Sequence, residues 1–249
     1  MEALSIVLLT GLIFAAAMLY AAVGHGGASG YLAAMALFGV APLVMKPSAL
    51  VLNILVSAIG CYQYCRAGRF SWSIFWPFAV VSMPLAYLGG LIQLPAVYYK
   101  PIVGAVLIYA AWRFFARAEL TDYSLRSPAL PLVGLVGALL GFLSGLVGVG
   151  GGIFLSPLLI ALRWESVPKV SGVAAAFILV NSMAGLAGFL TRHPLQLPAG
   201  LSWWALAAVS GGLIGARLGS RRLAGPGIKR LLALVLLIAG SKMFLTLSS

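Results

Sequence analysis

The sequence Gly24-His25-Gly26-Gly27-Ala28 recurs 124 residues later as Gly148-Val149-Gly150-Gly151-Gly152. Each copy follows a long apolar run and precedes a shorter one, Ser29–Leu43 in the first case and Ile153–Leu162 in the second. As a helix, the second short run reaches about 15 Å, which is half of the ~30 Å apolar core of a bilayer. We therefore expect the short runs to be re-entrant or broken helices, with both glycine clusters inside a membrane.

The composition of the whole chain supports this environment. Hydrophobic residues make up 62% of the 249 residues, charged residues make up 8%, and the mean hydropathy is +1.09. A soluble domain of this length could not hide so much apolar surface, so lipid must face most of it. Eight longer runs are predicted to span the bilayer: Leu4–Val23, Ala49–Tyr64, Ser73–Leu91, Pro101–Phe115, Pro131–Val147, Val173–Leu190, Trp203–Leu218 and Leu231–Leu247. The first is expected to be retained and not to act as a signal peptide, because no Lys or Arg precedes it.

The repeat extends beyond the glycine clusters. Tyr99-Lys100-Pro101-Ile102 matches Ile228-Lys229-Arg230-Leu231 at a similar separation. We predict a first transmembrane repeat over residues 1–117, a cytoplasmic linker over 118–127 and a second transmembrane repeat over 128–249. The predicted fold is an all-α polytopic membrane protein in which each repeat has a glycine-broken or re-entrant helix pair followed by three transmembrane helices.

Positive residues indicate the topology, because Lys and Arg are concentrated in cytoplasmic loops. If each broken pair makes an even number of crossings, twelve of the sixteen Lys and Arg lie on one side; the four on the other are Lys46, Lys100, Arg192 and Lys242. If each broken pair instead crossed the membrane once, the sixteen Lys and Arg would divide into nine on one side and seven on the other. We therefore predict inverted repeats, both termini in the periplasm, and a multi-pass protein of the bacterial inner membrane. The net charge of +12 then reflects loops that contact anionic lipid, and no nucleic-acid partner is expected, because the connections are too short to fold a basic domain.

The glycine clusters suggest anion binding. A helix that begins inside a membrane exposes backbone N–H groups and the positive end of its dipole, and an anion can satisfy both. Glycine lets the backbone approach such an anion closely. We predict paired anion-binding turns formed by Gly24, Gly26, Gly27, Gly148, Gly150, Gly151 and Gly152. The alternative is close helix packing, which we expect for isolated glycines such as Gly134, Gly137 and Gly141.

Polar side chains within the apolar runs are further candidates, because they are costly in a membrane. His25 can pair with an anion or donate a hydrogen bond, or it can simply bond a neighbouring carbonyl. Ser29 can cap the short helix or contact substrate. Tyr31 can contact an aromatic substrate or pack. Four candidates lie on two of the long runs, where hydrogen bonding between helices is the alternative role: Asn53, Ser57, Asn181 and Ser182.

Several of these features resemble one known family, the sulfite exporter TauE/SafE family, also called the 4-toluenesulfonate uptake permeases. The resemblance covers nearly the whole chain and rests on Gly148–Gly152, Pro157, Asn181-Ser182 and the series Gly211, Gly212, Gly215, Ala216 and Gly219. It implies transport of small sulfur-containing anions such as sulfite, thiosulfate, sulfoacetate or aryl sulfonates. The first half departs from the family pattern at His25, Ala28 and Ser29, which leaves the particular substrate open.

The predicted function is a secondary transporter whose small anionic substrate binds near the midplane at the two glycine breaks. Its other expected partner is membrane lipid, and the sequence is compatible with a homo-oligomer. An anion channel is the alternative, because positive helix ends can also line a pore. An integral-membrane enzyme is not expected, because the apolar runs contain no Asp or Glu. No cofactor or metal is expected, since the two cysteines, Cys61 and Cys65, are too few for a structural zinc site.

Overall fold

The computed structural model describes residues 3–115, 125–194, 198, 200–221, 236–238, 240, 241, 243 and 245. Every regular element with defined bounds in these ranges is a helix. These are α1 (Ala3–Ala21), α2 (Ala28–Leu37), α3 (Pro42–Arg66), α4 (Trp72–Leu91), α5 (Ala96–Phe115), α6 (Leu130–Val147), α7 (Gly152–Ala161), α8 (Val167–Arg192) and α9 (Leu201–Arg221). The all-α prediction is confirmed for the described part of the chain.

Six of these helices are long and apolar enough to cross a membrane, namely α1, α3, α4, α6, α8 and α9. The predicted spans in those regions are therefore confirmed. The shorter apolar helices are α2, α7 and the segment Ala96–Trp112 of α5. Most of the predicted run Leu231–Leu247 and most of the linker 118–127 lie outside the described residues.

Several predicted boundaries differ from the structure: α3 begins at Pro42 and not at Ala49, and α8 begins at Val167 and not at Val173. The first short run was expected to extend over Ser29–Leu43, but α2 ends at Leu37. Gly39 follows with a φ of 68°, which ends the right-handed helix. Ala41 is extended before Pro42, as expected for a residue that precedes proline, and α3 begins there.

Several helix pairs pack closely through glycines, among them α9 on α1 and α6 on α4. A Cβ on Gly215 of α9 would collide with the backbone carbonyl of Met18 on α1. A Cβ on Gly145 of α6 would collide in the same way with the carbonyl of Ala86 on α4. Backbones approach this closely in membranes only where residues are small. The first helix of each half thus packs on the fourth helix of the other half, α1 on α9 and α6 on α4.

The centre of the bundle is formed by α3 and α8. Both are 61% buried over their spanning windows, compared with 33% to 44% for the other four described spans. Asn53 contacts Ser182, whereas a Cβ on Gly60 would contact Ala175. Residue numbers therefore rise along α3 as they fall along α8, so these two equivalent helices of the halves run antiparallel.

Candidate functional site

Both predicted helix breaks are present. In the first, Gly24 and Gly27 have φ values of 79° and 99°, and α2 begins at Ala28. In the second, Gly148 and Gly151 have φ values of 87° and 75°, and α7 begins one residue later. These positions need glycine, because side chains rarely adopt positive φ. The two breaks therefore share the same sign of φ at two equivalent positions.

One side chain connects the two breaks. The Asn53 Oδ1 accepts a hydrogen bond from the backbone N–H of Ala28 at 3.0 Å. Its Nδ2 donates to the carbonyl oxygen of Val149 at 3.2 Å and to Ser182 Oγ at 3.3 Å. Asn53 is fully buried. The structure therefore brings two predicted site residues, Asn53 and Ser182, together with both breaks.

His25 makes a second connection between the halves. Its Nδ1 lies 3.1 Å from the carbonyl oxygen of Val23, and its Nε2 lies 3.2 Å from Ser156 Oγ on α7. A carbonyl only accepts, so Nδ1 carries a proton. The carbonyl contact is the one expected if His25 serves a structural role, and a role in substrate binding stays a prediction. Ser156 was missed, although a polar residue in a short apolar run satisfies the same rule that selected Ser29.

Two other candidates are held by the first break itself. Ser29 Oγ donates to Tyr20 Oη at 2.8 Å, and Tyr31 Oη donates to the carbonyl oxygen of Gly26 at 2.7 Å. All three side chains are buried. The N-cap of α2 is Gly27, without a side-chain cap hydrogen bond, so the capping role considered for Ser29 is wrong. These contacts fix the turn around Gly26 and Gly27.

The remaining two candidates bond to their own helices. Ser57 Oγ donates to the carbonyl oxygen of Asn53 one turn earlier. Asn181 Nδ2 donates to the carbonyl oxygen of Phe177 at 2.8 Å. The Asn181 Oδ1 is buried and has no hydrogen-bond partner among the described residues. Asn181 is therefore the predicted site residue that presents an unused polar atom.

The breaks are closed to solvent. Gly26, Gly27, Gly150 and Gly151 are all buried. A Cβ on Gly150 would lie 2.6 Å from Asn53 Nδ2, and one on Gly26 would collide with Asn53 Oδ1. The carboxamide of Asn53 thus fills the space between the two turns. A ligand can reach these backbone groups only if the side chain moves.

A buried cation also went unrecognised. Lys46 was expected in a loop, but it lies within α3 and is 3% exposed. Its Nζ donates to the carbonyl oxygens of Gly89, Gly90 and Ile92, at 3.3, 3.2 and 2.8 Å. These carbonyls lie at the end of α4, where the helix dipole favours a positive charge. Lys46 lies near the start of α3, in its second turn. It therefore stays on the same side of the membrane in the count of Lys and Arg residues.

Metal ligands are sparse in the described ranges, where no group of three or more His, Cys, Asp or Glu could hold an ion. Cys61 and Cys65 are free thiols, with Sγ atoms 3.9 Å apart on one face of α3. This pair does not provide enough ligands for a structural zinc site.

A helical bundle with several spans and two interrupted helices that meet at its centre has the architecture of a membrane transporter. The chain matches the family model described as sulfite exporter TauE/SafE over residues 9–243. It belongs to that family, as the resemblance in its glycine clusters predicted, and is a membrane transporter.

Similar proteins carry consistent descriptions. A probable membrane transporter protein of Sinorhizobium fredii is 40% identical over 235 residues, which cover 92% of this chain and 94% of that protein. A probable membrane transporter protein of Methanocaldococcus jannaschii is 26% identical over 140 residues, which cover 55% of this chain and 52% of that protein. No solved structure matches the chain.

Proposed function

We propose that this protein is a secondary transporter of small sulfur-containing anions, which bind between the two glycine breaks. The observation that carries the proposal is the position of Asn53, whose carboxamide contacts Ala28 at the start of α2 and Val149 in the turn before α7. The N-terminal ends of two short helices therefore converge on one buried point. Each helix N-terminus has the effect of roughly half a positive charge.

The charges around this point favour an anion. Glu165 is the only carboxylate in the described part of the chain, and it accepts hydrogen bonds from the N–H and hydroxyl of Ser166. The first backbone N–H groups of a helix generally have no partner within it. Here Ala28 donates to Asn53, and Phe154 in the first turn of α7 donates to the carbonyl oxygen of Gly151 at 3.1 Å, so the other groups of the two first turns are the donors offered to an anion. Sulfite and sulfonates carry several oxygens on one sulfur, so one molecule can accept hydrogen bonds from both turns. The family description names sulfite, which supports this class of substrate.

Binding requires the carboxamide of Asn53 to leave its present position. In the closed arrangement its oxygen takes the N–H of Ala28, which is where an anion oxygen would bind. A small rotation would free that N–H, while Nδ2 could turn toward the anion as a donor. Asn53 would then exchange between closing the site and binding the substrate.

The helix arrangement supports the predicted inverted repeats. The equivalent helices α3 and α8 run antiparallel, and each half packs its first helix on the fourth helix of the other. Such repeats allow one half to move against the other around a central site. With the charge count, this favours a linker in the cytoplasm, both termini outside and a location in the bacterial inner membrane.

The test is transport by purified protein in proteoliposomes. We expect saturable uptake of ³⁵S-sulfite that accelerates when unlabelled sulfite is present on the opposite side. Thiosulfate, sulfoacetate and 4-toluenesulfonate should be compared as competitors, with acetate as the control anion and protein-free liposomes as the blank. Unitary currents in a planar bilayer would instead identify an anion channel. Absence of transport for all four sulfur anions would overturn the proposal.

A further inference from the structure

A second polar region lies away from the contact between the two breaks. A partly open cavity of about 400 Å³ is formed by the first turns of α3, the connection between α4 and α5, the start of α5 and the end of α8. This volume lies within the range of small-molecule sites. Its polar lining comprises Lys46, Gln93, Tyr99 and His193.

The cavity wall contains a fixed positive charge. The three carbonyl oxygens around Lys46 Nζ require three N–H donors, and only the ammonium form supplies three. Its carbonyl partners are neutral, and none of its hydrogen-bond partners in the described ranges is a carboxylate. The charge is therefore held in place but not neutralised. It also lies 5.7 Å from the centre of the Phe189 ring, in surroundings where low polarity strengthens attraction for an anion.

His193 offers a hydrogen bond to the same space. His193 lines the cavity. Its Nε2 is buried without a hydrogen-bond partner in the described structure, so the ring must rotate before Nε2 meets a ligand in the cavity. A buried polar atom normally has a partner. With Nε2 protonated, His193 can donate to an anion that Lys46 attracts.

The cavity also adjoins the second break. Tyr99, which lines the cavity, donates from Oη to the carbonyl oxygen of Val147 at 3.0 Å. Val147 is the last residue of α6, and a Cβ on the following Gly148 would lie 3.2 Å from the backbone oxygen of Lys46. Lys46 and Tyr99 therefore contact both the cavity and the start of the second turn.

We propose that this cavity is a binding site for a small oxyanion, through which the substrate passes on its way to the second break. The charge of Lys46 attracts the anion, and His193 donates a hydrogen bond to it. The inference rests on the proposed transport function for the identity of its ligand. The binding of an oxyanion in the cavity does not depend on transport and can be measured separately.

The experiment uses single cysteines in a background carrying Cys61→Ser and Cys65→Ser. Ala96→Cys lines the cavity at the start of α5, and the control Val97→Cys is the adjacent exposed residue, which does not line it. Each variant is reconstituted in liposomes and treated with an anionic methanethiosulfonate (MTSES) or a cationic one (MTSET). We expect the rate ratio of anionic to cationic reagent to be at least threefold higher at Ala96→Cys than at Val97→Cys. Methanesulfonate should slow both reagents at Ala96→Cys only.

Equal rate ratios at the two positions, or no protection by methanesulfonate, would overturn the proposal. Adding Lys46→Met should reduce the ratio at Ala96→Cys to that of the control, and His193→Phe should weaken protection without removing the charge preference. Because Lys46→Met removes three buried hydrogen bonds and can prevent folding, the comparison of the two cysteines in the presence of Lys46 decides the question alone. A charge preference at Ala96→Cys without sulfite transport would refute the proposed function and support this site. Sulfite transport without the charge preference would support the proposed function and refute this site.

Discussion

Asn53 of α3 donates a hydrogen bond across the middle of the protein to the carbonyl oxygen of Val149, in the second break, at 3.2 Å. The same carboxamide accepts the N–H of Ala28 at the first break. The same buried side chain therefore contacts both breaks. In a transporter, such a contact would link movement at the first break to movement at the second.

Asn53→Asp should keep the contact with Ala28 that closes the site but should prevent the anionic substrate from binding. The carboxylate can still accept the N–H of Ala28, but it has no donor for Val149 and repels an anion. We expect loss of most sulfite transport, together with destabilisation of about 1–3 kcal/mol from the unpaired carbonyl and the buried charge. Transport in proteoliposomes and thermal unfolding measure the two effects. Ser57→Ala is the control, because the hydrogen bonds of Ser57 to the described residues stay within α3, and it should leave both nearly unchanged.

Gly27→Ala should be much more damaging than Gly39→Ala. Both residues have positive φ, so an added Cβ costs about 1–2 kcal/mol at either site. At Gly27 the Cβ would also lie 2.6 Å from Tyr31 Oη, whereas at Gly39 nothing lies within 4 Å. Yield of monodisperse protein and unfolding temperature should therefore fall further for Gly27→Ala. Equal losses would show that packing at the first break contributes little.

The closeness of Gly27 to Tyr31 complicates the use of bulky substitutions to test anion binding at the breaks. A larger side chain at Gly27 would disturb Tyr31 before it blocked a ligand. Asn53→Asp avoids this problem, because it changes charge with almost no change in volume.

Gly145→Leu should separate α6 from α4. A side chain there would collide with the carbonyl of Ala86, so we expect loss of folded protein during detergent extraction. Gly134→Leu is the control on the same helix. The close packing expected at Gly134 is wrong, since nothing among the described residues lies within 4 Å of its added Cβ, and this variant should purify like the parent. Size-exclusion chromatography distinguishes the two, and equal recovery of both variants would contradict close packing of these helices.

Some of these structural features can be predicted from the sequence and others cannot. The glycine clusters and apolar lengths were sufficient to predict the breaks and most spans, because positive φ and bilayer thickness impose strong local constraints. Lys46 was missed because Lys46-Pro47-Ser48 is typical of a loop, while its partners are carbonyls at the distant end of α4. The contact from Asn53 to Val149 joins residues 96 positions apart, and no local pattern encodes such a pairing.

Accessibility of single cysteines in intact cells should test the topology. Leu125 lies in the predicted cytoplasmic linker and Val97 at the start of α5; both are exposed. In the background without native cysteines, a membrane-impermeant maleimide should label Val97→Cys and not Leu125→Cys. After the cells are permeabilised, both should react. The opposite pattern before permeabilisation would reverse the proposed orientation.

His25 is expected to make substrate affinity depend on pH without being required for folding. The equivalent position of the second half is Val149, so the turn accepts an apolar side chain. As an imidazolium, His25 could donate from Nδ1 to Val23 and from Nε2 to Ser156, whose hydroxyl could then donate to Gly152. Those contacts therefore accommodate the charged form, which an anion bound nearby would favour.

The sign of the effect follows from this linkage. If the anion favours the imidazolium, binding takes up a proton, so affinity falls as pH rises, by at most about tenfold per pH unit for one proton. The probe is 4-toluenesulfonate, whose own charge stays constant from about pH 5.5 to 8.5, a window around the reference histidine pKa of ~6.5. We expect the slope to be present in the parent, reduced in Ser156→Ala, where one contact is lost, and absent in His25→Val. The measurement is ligand-induced thermal stabilisation at each pH, which reports affinity by mass action. Parallel pH profiles in the parent and His25→Val would make His25 a structural link between the first break and α7.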